Sequence, residues 1–130
     1  MNTRLLMTAS ALTMGLTGIA LSFLPQELAG YLSWSAGEPL VLQLLGALYF
    51  GFAMLNWMAK ASLIGGIYGR PVAIGNFTHF AVGGLALLKW VLGHSVSPAL
   101  LTFTFVYALF ALLFGYVFFT HPKLKSNVVN

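Results

Sequence analysis

Three side chains carry hydrogen-bonding groups into long apolar runs of this sequence: Asn56, Asn76 and His79, with Tyr49 and Thr78 close enough to join them. Asn76 and His79 are three residues apart, so on a helix they stand one turn apart on the face that also holds Gly83. Asn56 lies near the end of one run and Asn76 and His79 near the start of the next. If the two runs are antiparallel helices, the three residues meet at one depth, on the order of ten ångström from the helix ends at 1.5 Å per residue. Amide and imidazole groups at such a depth face the protein interior. There they either tie helices together, at about 0.6 kcal/mol each, or form a site for a small solute or a proton.

Other chemistries lack their residues. The chain has no cysteine, and its two acidic residues, Glu27 and Glu38, both lie outside the apolar runs. A metal centre would leave His79 as a lone ligand. A b-type haem would need a second histidine at matched depth, whereas His94 and His121 fall at the ends of their runs. No aspartate or buried glutamate can complete a nucleophile–histidine–acid constellation. Proton abstraction by His79 alone stays open. The sequence thus predicts no metal and no cofactor, and favours a non-enzymatic protein over an enzyme.

The elements that would position these residues are four apolar runs, at 4–24, 40–58, 71–92 and 98–120. Each is about the twenty residues that cross a hydrocarbon layer. With 59% apolar and 6% charged residues, against roughly a quarter charged in soluble domains, the chain reads as a single all-α integral membrane domain over residues 1–130, a four-helix bundle in a lipid bilayer. The run from Leu5 to Leu24 is longer than the ~7–15 residue core of a secretory signal, so it is read as a retained span. Prolines punctuate the spans: Pro25 follows the first, Pro39, Pro71 and Pro98 open the others, and Pro122 follows the last. A first turn tolerates proline because its missing N–H would have no helical partner there.

Charge sets the expected orientation. Arg4, Lys60, Arg70, Lys123 and Lys125 flank one side of the spans, while Glu27 and Glu38 lie in the first outer connection. Cationic flanks resist translocation, so both termini and the middle connection are expected in the cytoplasm, in a bacterial inner membrane. The net charge of +4 is scattered rather than gathered into a groove, which gives no reason to expect nucleic acid. Lys89, near the outer end of the third span, could pair with Glu38 or extend its stem to the interface. Tyr31, Trp34, Trp57 and Trp90 are placed as interface anchors. The segment Pro25 to Trp34 is apolar enough to form a short helix on the outer surface.

Small residues recur at helical spacing in every span. Thr8, Ala11, Gly15, Gly18 and Ser22 share one face of the first, and Gly46, Tyr49, Ala53 and Asn56 one face of the second. The third offers Asn76, His79, Gly83, Ala86 and Trp90, and the fourth Thr104, Ala108, Ala111 and Gly115. In lipid, helices associate by close backbone approach, which small residues permit. A bundle this small has few interior positions, so one stripe is expected to face a partner, with the fourth as the choice. A pairing of the first two spans against the last two is compatible with the hydropathy.

Phe23-Leu24-Pro25, Leu28-Ala29-Gly30 and Gly46-Ala47-Leu48-Tyr49-Phe50-Gly51 together resemble the small four-helix bacterial membrane proteins grouped under a domain of unknown function, over the first two-thirds of the chain. Gln43 stands where such proteins usually carry a basic residue. The resemblance implies a four-helix fold and no activity. The functional expectation is a non-enzymatic accessory or structural subunit, forming a homo-oligomer or part of a larger membrane complex. The alternative is a carrier or channel for a small solute or proton, using Asn56, Asn76, His79 and Tyr49 near the cytoplasmic side. An enzyme acting on lipid or quinone, reached through a lateral opening to His79, comes third.

Overall fold

The computed structural model describes residues 2–32, 39–62 and 69–120. Among these the chain is all-helical, with α1 (Thr3–Phe23), α2 (Pro25–Tyr31), α3 (Pro39–Ala59), α4 (Arg70–Gly93) and α5 (Pro98–Phe119). Four of the five are long and apolar enough to cross a membrane. The starts follow local chemistry. The Asn2 side chain accepts from the Leu5 amide to cap α1, and the Ser97 hydroxyl accepts from the Leu100 amide to cap α5, each satisfying a backbone donor that the helix leaves unpaired. Pro25, Pro39, Pro71 and Pro98 all sit in first turns, as their fixed φ favours. The four long helices begin and end within one residue of the spans expected from the sequence.

The helices associate as two tight pairs, α1 with α3 and α4 with α5, and the pairs meet more sparingly through α3 with α4 and α1 with α5. Each neighbour is antiparallel, since Gly15 faces Ala53 while Gly18 faces Gly46, and Gly83 faces Tyr107 while Gly115 faces Phe77. Arg4, Lys60 and Arg70 consequently share one end of the bundle, and Lys89 lies toward the other. We refer to the first as the basic end.

The first pair is held by backbone proximity. A Cβ on Gly18 would stand 2.8 Å from the Phe50 amide nitrogen and 2.9 Å from the Gly46 carbonyl oxygen. One on Gly46 would stand 2.8 Å from the Gly18 carbonyl oxygen. Only glycine at both positions lets the two backbones come this close, which brings dispersion and Cα–H···O contacts into play where lipid offers little hydrophobic drive. The second pair packs through side chains instead. Phe80, fully buried, stacks against Phe110 and Phe114 at ring separations of 4.8 and 5.8 Å and meets Tyr107 edge-on at 5.1 Å. Offset and edge-to-face rings at these distances add about 0.5–1.5 kcal/mol per pair beyond area burial.

The seams differ from their expected course in α4 and α5. Ala86 and Trp90 are exposed; the buried face of α4 runs instead through Ala73, Asn76 and Phe80. Large aromatic side chains fill this interface, so smallness alone selected the neighbouring stripe. On α5, Thr104 and Gly115 are buried within the chain, Ala111 is half-buried and Ala108 is exposed, so most of the stripe expected to meet a partner is occupied intramolecularly. Gly115 is covered by the Phe77 ring, 3.0 Å from where its Cβ would be.

Candidate functional site

Two polar clusters lie inside the bundle, one toward the basic end and one near mid-span. The first joins α1, α3 and α4. Asn56 and Asn76, both with no exposed surface, donate to each other's side-chain oxygens over 2.7 Å in each direction. The remaining Asn56 N–H donates to Ser10 Oγ at 3.0 Å, and the remaining Asn76 N–H to the Val72 carbonyl at 2.9 Å. Ser10 in turn donates to the Met7 carbonyl at 3.0 Å, and Met14 Sδ lies 3.7 Å from Asn56 Nδ2. All four amide N–H groups are thereby used. A buried amide left unpaired costs about 1–3 kcal/mol, so this closed arrangement is the one in which two asparagines can sit dry between helices.

The second cluster lies about one turn deeper and joins α3, α4 and α5. Tyr49 and Tyr107 share a hydrogen bond between their hydroxyls, and the Tyr107 hydroxyl meets His79 Nε2 at 3.0 Å. Rings enclose the imidazole: Phe80 and Tyr49 meet it edge-on at 5.1 and 5.2 Å, and Phe52 lies at 5.2 Å with its plane tilted 31° from it. The donor in each Tyr–Tyr–His bond depends on the histidine tautomer. The chain can therefore run from Tyr49 toward His79 or back, which is the property a proton or hydrogen-bond relay needs.

His79 is half-buried rather than sealed. Its open side lines a groove of about 510 Å³ between α3 and α4, whose other walls are Phe52, Pro71, Ile74, Gly75 and Thr78. It is a lateral opening to His79 of the kind that an enzyme acting on lipid or quinone, the third of the sequence-based expectations, would require. The groove exists because α3 and α4 touch so little beyond the asparagine pair.

Asn56, Asn76, His79 and Tyr49 are thus neighbours, as their shared depth implied. Sequence reasoning missed Ser10 and Tyr107, which complete the two clusters. A tyrosine in mid-span is itself a signal, because its hydroxyl must find a partner when buried. Ser10 lies on the Met7–Met14 face, one position from the small-residue stripe that drew attention. Gln43 reaches the Ser22 carbonyl at 3.4 Å, at the other end of the bundle.

Several expected features lie elsewhere or outside the described residues. Glu38 and Trp34 fall outside them, so a Glu38–Lys89 pair does too. Trp57 carries the Lys60 ammonium 2.9 Å from its ring centre, and Trp90 stacks on His94 at 4.0 Å; Tyr31 is exposed at the end of α2. Among the described residues, no three His, Cys, Asp or Glu side chains gather where they could hold a metal ion. No family model, curated protein or solved structure matches the chain.

Proposed function

We propose that this chain is a non-enzymatic integral membrane protein that serves as an accessory or structural subunit, forming an oligomer or joining a larger membrane complex. Its setting in this reading is a bacterial inner membrane, with both termini and the basic end of the bundle in the cytoplasm and α2 lying on the outer surface. The observation that carries it is the complete internal use of the Asn56 and Asn76 amides at zero exposure. Polar groups that carried a solute through the bundle would need free donors along an interior path, and all four amide N–H groups of this pair are already engaged. The rest of the chain's surface supports the same reading, since long stretches of the spans present bare leucine, phenylalanine and methionine outward, ready for lipid or another protein.

The experiment is chemical crosslinking and native mass measurement of the chain in nanodiscs and in its own membranes, beside proton and solute flux in proteoliposomes. A defined assembly with flux no greater than in empty vesicles is the expected result. Ala108, the exposed member of the α5 stripe, is the position to probe: Ala108→Leu should shift the assembly without unfolding the bundle. A monomer in both settings, with flux abolished by His79→Ala, would instead establish the carrier reading.

A further inference from the structure

The groove between α3 and α4 ends at two polar groups that the fold leaves unused. Thr8, Thr13, Thr17, Thr102, Thr104 and Thr120 each donate their hydroxyl to the carbonyl four residues back, the usual way a threonine satisfies itself on a helix. The Thr78 hydroxyl, within α4, forms no hydrogen bond, and the residue lines the groove. His79 bonds only through Nε2. No buried side-chain nitrogen or oxygen among the described residues lacks a partner, so His79 Nδ1 is not buried, on a residue that lines the groove. In hydrocarbon an unpaired polar group is costly, and here two consecutive residues leave one each on the same opening.

We propose that this groove binds a neutral, membrane-dissolved molecule with a flat, oxygen-bearing ring and an apolar tail, the quinone or quinol class. Charge decides against a lipid headgroup: among the described residues, none of the six that line the groove is charged, whereas a phosphate would call for Lys or Arg. Phe52 and the imidazole pack against each other at 5.2 Å with their planes 31° apart, so they border the groove as neighbouring aromatic surfaces against which a flat ring can lie, and Gly75 adds no side chain to the slot beside them. The volume of about 510 Å³ lies within the ~300–1,000 Å³ common for small-molecule sites. The hydrogen-bond chain behind the imidazole fits both forms of such a head. With Tyr107 donating to Nε2, Nδ1–H donates to a carbonyl oxygen; with Nε2–H donating to Tyr107, Nδ1 accepts from a hydroxyl. Thr78 Oγ1 supplies a second contact that serves either. Binding alone is assigned, with no electron transfer by the chain.

The test is photolabelling of the full chain in phosphatidylcholine nanodiscs by a decyl-tailed azidobenzoquinone, with peptide mapping and unlabelled decyl-tailed benzoquinone as competitor. Label should concentrate on Phe52 and the Pro71–His79 segment and be displaced by the competitor. Gly75→Leu, which fills the slot, should reduce it about tenfold or more. Thr78→Val, which keeps shape and removes the hydroxyl, should weaken competition about three- to tenfold with an unchanged melting profile. Label spread evenly over the four spans, label undiminished in both variants, or equal displacement by a long-chain fatty acid would overturn the assignment. These outcomes are separate from the assembly state on which the accessory-subunit reading stands.

Discussion

Placing a methyl group on Gly46 tests whether backbone contact holds the first helix pair. The added Cβ would stand 2.8 Å from the Gly18 carbonyl oxygen and 2.9 Å from the Ser22 amide nitrogen, and neither atom can rotate aside. The helices must part by about 0.5–1 Å, a gap at which each apposed atom pair forfeits a quarter to a half of a well ~0.1–0.2 kcal/mol deep. Taking on the order of thirty pairs along the Ala11–Ser22 face gives a loss of about 2 kcal/mol, within the ~1–3 kcal/mol typical of overpacking. Alanine's better helix propensity returns about 1 kcal/mol, leaving Gly46→Ala about 1 kcal/mol less stable than the parent. Gly51, on the same helix, has nothing within 4 Å of its Cβ position, so Gly51→Ala collects the propensity gain alone. The two variants should differ by about 2 kcal/mol in reversible unfolding in mixed dodecylmaltoside–dodecylsulfate micelles, followed by tryptophan fluorescence. Gly18→Ala with Gly46→Ala should cost less than the sum of the two, because one displacement relieves both clashes. A difference below about 0.5 kcal/mol, or strict additivity of the double variant, would refute the reasoning.

Asn56→Leu or Asn76→Leu alone should destabilise the bundle by about 1–3 kcal/mol, since each strands the other amide. The double variant should lose clearly less than the sum, and a double-mutant cycle in the same micelles measures the coupling. Gly83 and Gly84 should respond in opposite ways although they are adjacent. A Cβ on Gly83 would stand 2.7 Å from Tyr107 Cε1, whereas one on Gly84 meets Tyr107 Cβ at an ordinary 3.8 Å. Gly83→Ala should therefore displace the Tyr107 ring from His79, visible as a changed imidazole signal in NMR, while Gly84→Ala leaves that signal in place.

Helix extents were legible because proline chemistry and the switch from polar to apolar residues both act locally. Gly18 and Gly46 were legible because glycine at seam spacing has one physical use in lipid. The inward face of α4 was not. In water an outward face is polar and the hydrophobic pattern marks the core, but in lipid Leu85 outside and Phe80 inside are equally apolar, so only size and polarity remain as signals. Size misled at Ala86, which is exposed. Polarity led to Asn76 and His79 but could not name their partners, because whether Ser10 or Thr8 meets Asn56 depends on how α1 rotates against α3. The groove had no local signal at all. It arises from how loosely two helix pairs meet, and Thr78 gains its meaning only from a hydrogen bond that six other threonines make and it does not.

The division into two tight pairs also bears on how the chain is made. The α1–α3 contact is complete once the first 60 or so residues have left the ribosome, and it needs nothing from the C-terminal half. Insertion can proceed one hairpin at a time, each settling in the bilayer before the other arrives. The asparagine pair then closes as a latch between finished halves, so a newly inserted first hairpin waits in the lipid with the Asn56 amide tied to Ser10 on one side and turned toward its future neighbour on the other.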